Sequence, residues 1–363
     1  MFFLMTGVLV GILIALPAGL TWVIARLLGR RWGRRAVRLS LYSFLLAYPA
    51  VTFLLIPVLF AQMISGAGTR PQDVRLTLDP EELGCRFEEV FFKSADGIDL
   101  AGWWMEGDPQ QTAFLIAHGL FRDRKEVTER GCQLRRLGHS VLVYDLRGHG
   151  KSGRGPITMG YQERFDVLGA ARFVQQRQPS SLVLMGVSMG AAASLMAVSE
   201  MSDAPTAIIA DSSFASLRTT VREHTRLYVG LPGFPFADAF VWNLTRLGGF
   251  SADAFDLLSV VRESRTWPPT LLIYGSEDER MSDRTARSLF GALPGPHKKL
   301  VFFEQADHGD AWEVDPDRYL STITNFLRAH GGTAVDVSSP ATGGSDSRVE
   351  LGRESESRKD TRQ

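Results

Sequence analysis

Hydrophobic and polar positions divide this chain into three regimes. Phe2 to Ala25 is an unbroken uncharged run, and Leu41 to Ile64 is a second. Each is long enough to cross a bilayer, which takes about 20 apolar residues. From Phe87 onward the apolar stretches shorten and change in type. Runs rich in β-branched and aromatic residues predict strands at Phe87–Lys93, Ile98–Met105, Thr112–Ala117, Ser140–Tyr144, Leu182–Met185, Thr206–Ala210, Thr270–Tyr274 and Lys299–Phe303. Helical periodicity between them predicts helices over roughly Glu126–Leu137, Tyr161–Gln176, Met189–Ser199, Thr285–Leu293 and Tyr319–Ala329. Ser94-Ala95-Asp96-Gly97 supplies hairpin chemistry between the first two strands, and Gly138 stops the first helix. From Gly331 onward the chain is Gly, Ser, Thr and interspersed charge. It lacks the apolar surface to repay ordering and reads as a disordered tail.

Strands and helices that alternate at this spacing build an α/β domain, a mainly parallel sheet with helices on both faces. Residues 214–266 break the rhythm with aromatics, Gly and Pro, as in Leu231-Pro232-Gly233-Phe234-Pro235-Phe236. Such an insertion would sit above the carboxyl edge of the sheet, where open α/β folds bind ligands. A plain surface connection is the simpler reading, but so many aromatics left in solvent favour a small cap. The expected organisation is two membrane helices in 1–64, a linker over 65–79, the α/β domain over 80–330 with its cap at about 214–266, and the tail over 331–363.

Charge sharpens the first regime. Residues 1–25 and 39–69 carry no Lys, Arg, Asp or Glu, while Arg26, Arg30, Arg31, Arg34, Arg35 and Arg38 lie between the runs without an acidic residue. Positive loops stay on the cytoplasmic side, which would put everything after Ile64 outside the cell membrane. Arg70 and Arg75 reduce that asymmetry slightly. A signal peptide would carry its basic residues ahead of the apolar region, and here they follow it. Pro17, Pro49 and Pro57 are tolerable inside membrane helices. The formal net charge is zero, so nothing global points to nucleic acid. Cys85 and Cys132 are the two cysteines. They form no metal-ligand or C-x-x-C pattern, although one bridge between them stays open in an oxidising compartment. No repeat is visible, and nothing in the pattern specifies an oligomer.

Candidate chemistry starts at Gly186-Val187-Ser188-Met189-Gly190, which follows an apolar strand and opens an alanine-rich helix. A sharp strand-to-helix turn there would present Ser188 at its tip. Gly186 would tolerate backbone angles that a side chain forbids, and Gly190 would let the helix pass close to the strand. A serine hydroxyl needs a base to take its proton and a third group to orient that base. Gly275-Ser276-Glu277-Asp278 and Asp307-His308-Gly309 each lie just past a strand, at the same sheet edge. Among the seven histidines, His224 in the cap is the main rival to His308; Glu277, Asp283 and Asp211 compete with Asp278.

With His118-Gly119 and Asp145-Leu146-Arg147-Gly148-His149-Gly150-Lys151-Ser152 added, these motifs over roughly residues 80–330 resemble the α/β-hydrolase superfamily. The likeness is to its lysophospholipase-like, esterase-like and S33 aminopeptidase-like serine hydrolases. The resemblance implies Ser188 as nucleophile, His308 as general base and then acid, and Asp278 as the orienting carboxylate. It implies an oxyanion hole from the backbone N–H of Met189 and, after His118-Gly119, of Leu120. Leu120-Phe121-Arg122-Asp123 is bulkier than the glycine-rich continuation of many relatives, which leaves the second donor open. His118 and His149 fall in structural turn motifs. The expected activity is cleavage of an ester, an acyl lipid among the candidates, with no metal or organic cofactor. A peptidase, an acyltransferase and a catalytically silent binding module of the same fold are the alternatives. Asn243-Leu244-Thr245 fits a glycosylation acceptor, a pattern that often arises by coincidence.

Overall fold

The strands assemble into one eight-stranded sheet in the order β1-β2-β4-β3-β5-β6-β7-β8. These are β1 (Glu88–Lys93), β2 (Asp99–Met105), β3 (Thr112–Ala117), β4 (Ser140–Tyr144), β5 (Ser181–Val187), β6 (Ala207–Asp211), β7 (Thr270–Gly275) and β8 (Lys298–Phe303). Only β2 runs antiparallel to its neighbours β1 and β4; every pairing from β4 to β8 is parallel. The computed structural model describes residues 41–66, 68–69, 79–230, 232–264 and 266–330, with isolated residues before 41.

Burial explains which strand went where. All six residues of β3 and all five of β4 are buried, as central parallel strands covered on both faces must be. β1 at the edge is mostly exposed. Side-chain alternation then splits the core into two layers. Leu115, Leu184, Ile208 and Leu272 point to one face, while Phe114, Ile116, Met185, Ile209 and Ile273 point to the other. Helices α3 (Arg164–Gln175), α4 (Met189–Val198), α7 (Leu257–Glu263) and α8 (Asp283–Ala292) cover the first face. The second is covered by α2 (Thr128–Arg136), the single turn α9 (Ala311–Val314) and α10 (Pro316–Ala329).

Helix ends differ from the sequence expectation where capping chemistry decides them. The segment expected to begin a helix at Glu126 is a 3-10 turn, Arg124–Val127, capped by the Asp123 carboxylate accepting from the Lys125 N–H. The last helix starts at Pro316, three residues ahead of expectation, because Asp315 caps it and Pro occupies its first position. In the hairpin the Ser94 hydroxyl accepts from the Ile98 N–H at 2.8 Å.

The cap consists of α5 (Leu217–His224), a π-helical turn (Thr225–Val229) and α6 (Gly233–Gly248). Its aromatics are the mortar to the body: Phe250 stacks on Tyr161 at 4.2 Å, and Phe255 meets Phe214 at 5.4 Å. Asn243 lies mid-helix in α6, donates to the Ala239 carbonyl and precedes a buried Leu244 and Thr245.

Ahead of the domain stands α1, Leu41–Ser65, with a mean hydropathy of 2.2 and the length to cross a membrane. Its final turns pack on α6, where Ile56 meets Phe236, and the Ser65 carbonyl accepts from the Ile157 N–H at 3.0 Å. Leu45, Leu46, Leu54 and Leu59 on its outer face are exposed. Most of the first apolar run, most of the arginine loop, most of the 65–79 linker and the tail after His330 lie outside the described residues. Cys85 and Cys132 are buried free thiols, each lying against the Met105 sulfur at 3.8 and 3.9 Å.

Candidate active site

Ser188 sits between β5 and α4 with φ 51° and ψ −109°. A non-glycine residue held there is strained, and such strain gathers at functional turns. The Ser188 N–H donates to the Asp211 carbonyl of β6 at 2.8 Å, tying the tip to the neighbouring strand. The flanking glycines serve a purpose other than the one the sequence suggested for Gly186. Its backbone is ordinary, but a Cβ there would lie 2.4 Å from the Gly190 carbonyl carbon. A Cβ on Gly190 would lie 2.4 Å from the Ala117 carbonyl oxygen at the end of β3. Both glycines allow close approach, and the left-handed angle falls on Ser188 itself.

Three loops at the carboxyl edge bring the predicted residues together. His308 Nε2 lies 2.8 Å from Ser188 Oγ, and His308 Nδ1 lies 2.8 Å from Asp278 Oδ2. The other Asp278 oxygen accepts from the Arg280 and Met281 N–H groups, both at 2.8 Å. A carboxylate held by two amides and buried has one oxygen left to orient an imidazole. The competing acids stand apart from His308: Asp283 pairs with Arg287, and the Asp211 carboxylate faces Tyr319, Ser212 and Arg130. His224 lines the same cavity with its ring against Tyr228. Burial, reinforced by the nearby His308, pushes its pKa down to about 4, so it stays neutral at physiological pH. Its Nε2 is buried without a partner.

Leu120 and Met189 both line the cavity that contains Ser188 and His308. Met189 is the first residue of α4, where backbone N–H groups have no intrahelical acceptor. Leu120 lies in a turn completed by Phe121 at φ 66°. His118 fixes the root of this turn: its Nε2 accepts from the Leu146 N–H at 3.0 Å, so Nδ1 donates to the Gly119 carbonyl at 2.7 Å. In the other structural motif, Asp145 accepts from the Arg124 and Lys151 N–H groups. Arg147 forks onto Asp166 and Asp96.

Behind the site lies a cluster of buried charge that no local sequence pattern announces. Arg130 of α2 reaches Asp211 and Glu313, and donates to the Gly309 carbonyl at 3.1 Å. Ser212 Oγ accepts from the Gly309 N–H at 3.0 Å and donates to Asp211. The residue following His308 is thus gripped from both sides. Glu126 accepts from the Gly119 N–H at 2.6 Å, and burial raises its carboxyl above the ordinary range despite the nearby Arg130 and Arg122. The only advance signal was Asp211-Ser212-Ser213 at a strand end, which also fits an ordinary turn. Among the described residues, no group of three or more His, Cys, Asp or Glu side chains is arranged to hold a metal ion.

The cavity over Ser188 has a volume of about 690 Å³, within the usual range of about 300–1,000 Å³ for small-molecule sites. Its body side carries Glu126, Arg130 and Glu313, and its cap side Phe236 and Phe240.

Eight strands in this order, one antiparallel, with helices on both faces and a serine at the strand-to-helix turn, define the α/β-hydrolase fold. The profile of the family described as serine aminopeptidase, S33, matches residues 108–241. The Bacillus subtilis protein YqkD is 26% identical over 237 residues, covering 64% of this chain and 77% of its own. A Saccharomyces cerevisiae protein described as a membrane protein is 26% identical over 262 residues, covering 69% of this chain and 83% of its own. A Pyrococcus furiosus esterase structure superimposes with a TM-score of 0.59 at 23% identity, covering 73% of this chain and 98% of that one. These likenesses support the α/β-hydrolase superfamily and a hydrolase activity.

Proposed function

We propose that this chain is a membrane-anchored serine hydrolase that cleaves a carboxylic ester through an acyl-enzyme. The observation that carries the reading is the unbroken line from Asp278 through His308 to Ser188, with 2.8 Å at each step. Ser188 Oγ attacks the ester carbonyl while His308 Nε2 takes its proton. The tetrahedral oxyanion is held by the Met189 and Leu120 N–H groups. Collapse breaks the bond to the alcohol, which leaves with the proton from His308. Water then attacks the acyl-serine, giving its proton to His308, and the acid departs as Ser188 regains its hydrogen. Asp278 holds the imidazole in the tautomer this requires.

An ester with an apolar acyl group fits well because Val221, Val229, Phe236 and Phe240 give the cap side of the cavity a large apolar area beside His224, Thr225 and Tyr228, and unpaired peptide groups are costly to bury against it. The S33 profile match keeps peptide hydrolysis as the second reading. α1 provides the anchor, and the arginine-rich segment before it, held on the cytoplasmic side, favours an extracytoplasmic catalytic domain. The test of the chemistry is labelling of the full chain by a fluorophosphonate probe, with an ester panel beside it. Labelling that is lost in Ser188→Ala is expected; an unlabelled wild type, or labelling that survives the substitution, refutes the reading. Added protease should degrade the domain in spheroplasts, and full protection there would reverse the orientation.

A further inference from the structure

We propose that the last turns of α1 are the acyl-binding wall of the active-site cavity, and that the substrate is a long-chain acyl ester of a membrane lipid, taken from the bilayer. This rests on the hydrolase reading above and deepens it. Phe60, Met63 and Ile64 line the same cavity as Ser188 and His308. Their spacing of three and four residues puts them on one helix face. Leu54, Leu55 and Leu59 of the same helix are exposed. The apolar helix therefore has two faces with two tasks. One completes a pocket, and the other is left for lipid.

The attachment is built into the fold. Phe60 and Ile64 pack against the main core, and Ala61 is fully buried within it. The Ser65 carbonyl is held by the Ile157 N–H, and Thr69 Oγ1 accepts from the Gly150 N–H at 2.8 Å while donating to the Arg122 carbonyl. Helix end, oxyanion-side loop and the Asp145–Ser152 turn are thus locked together. A passive tether needs none of these bonds.

Length sets the depth. Leu41–Ser65 is 25 residues, or about 37 Å at 1.5 Å per residue, against a hydrocarbon core of about 30 Å. With its apolar run in the bilayer, the Phe60–Ile64 turn lies within about 6 Å of the end of that run. That is the level at which acyl chains meet their ester groups. The cavity then meets the bilayer edge with a wall of Phe60, Met63 and Ile64, continued by Phe236 and Phe240 of α6. Large apolar side chains there reward an alkyl chain and penalise a polar one.

The experiment uses the full chain in phosphatidylcholine nanodiscs, with 4-nitrophenyl butyrate and 4-nitrophenyl palmitate as substrates and fluorophosphonate labelling alongside. Wild type is expected to favour palmitate in kcat/KM. Met63→Trp and Ile64→Trp should lower the palmitate-to-butyrate ratio at least tenfold, while Leu59→Trp on the outer face leaves the ratio unchanged. A labelled wild type without long-chain preference overturns the proposal, as does an unaltered ratio in labelled Met63→Trp and Ile64→Trp. Should both tryptophan variants fail to label, Met63→Ala reads the same ratio and should shift it at least threefold; an unchanged ratio there is equally fatal. 1-Palmitoyl-lysophosphatidylcholine should be cleaved faster from the nanodisc than from an albumin complex, and equal rates overturn delivery from the bilayer. An unlabelled wild type condemns the hydrolase reading itself, which keeps the two failures apart.

Discussion

Ser188 is the one residue in the elbow whose backbone is left-handed, and its N–H bond to the Asp211 carbonyl and its Oγ contact with His308 help hold it there. Removing its hydroxyl by Ser188→Ala is expected to lower turnover by roughly four to six orders of magnitude, measured with butyrate ester on purified protein. Asp278→Asn should cost less, about four orders, because oxyanion stabilisation and the nucleophile survive while the imidazole tautomer is lost. The two histidines of the cavity separate cleanly. His308→Ala should abolish fluorophosphonate labelling, whereas His224→Ala should retain it, since His224 touches neither Ser188 nor Asp278 among the described hydrogen bonds. Loss of labelling in His224→Ala with His308→Ala still reactive would reverse the assignment. Gly190→Ala poses a steric question instead. Its new methyl would meet the Ala117 and His118 carbonyls, both backbone and unable to swing aside. The variant should unfold at a lower urea concentration and lose labelling together.

At the level of elements, the grip on the loop after β8 is as telling as the triad-like line. Arg130 spans from α2 to that loop, with its guanidinium shared between Asp211, Glu313 and the Gly309 carbonyl. Arg130→Met would leave the buried Asp211 carboxylate without its cation, a change worth about 3–5 kcal/mol in unfolding free energy. It should also lower kcat with little change in KM, because it loosens the residue next to His308 without touching the acyl wall. A variant that loses stability but keeps full kcat would limit Arg130 to a structural role. None of this was legible in the sequence, where Arg130 is one basic residue on a helix. Legibility followed locality. Strands β3 and β4 could be placed to the residue because both faces are buried and turn residues bound them. Ser188, Asp278 and His308 could be named because each follows a strand of a parallel sheet, which carries such positions to one edge, and because the motifs around them resemble those of the α/β-hydrolases. Arg130 and Asp211 meet across 81 residues, and no local pattern announces such a partner. The same holds for α1: its apolar run announced a helix long enough to span a membrane, but its face toward α6 depends on a cap whose packing is tertiary.

Across the whole molecule, buried histidines and buried carboxyls pull the response to acid in opposite directions. Burial holds His139 down to about 4 and drives His118 well below its ordinary value, with the His149 ring beside it. In the unfolded chain these imidazoles return to about 6.5. Between pH 6.5 and 4 the unfolded state therefore binds protons that the folded state refuses, and stability must rise with pH in that window. The contribution is fully present above pH 6.5 and is lost as pH falls toward 4. For His139 alone it amounts to about 3 kcal/mol. Glu126, Asp145, Asp211 and Asp166, the last pushed up to about 7 by burial, work in the opposite direction, since a raised carboxyl favours protonation of the folded state, so a single pH curve mixes both signs. A substitution separates them. His139→Gln keeps an amide donor for the Thr112 backbone but removes the titration, and Gln cannot take up a proton. In detergent, the melting temperature of His139→Gln should rise relative to that of wild type as pH falls from 6.5 to 4.5, because only wild type loses the His139 contribution there. Parallel curves would mean that His139 is not excluded from the proton in the folded state, and the acid sensitivity would have to come from His118 and His149 at the root of the oxyanion loop. Placed there, it would be felt first by the active site, as loss of labelling before loss of the fold.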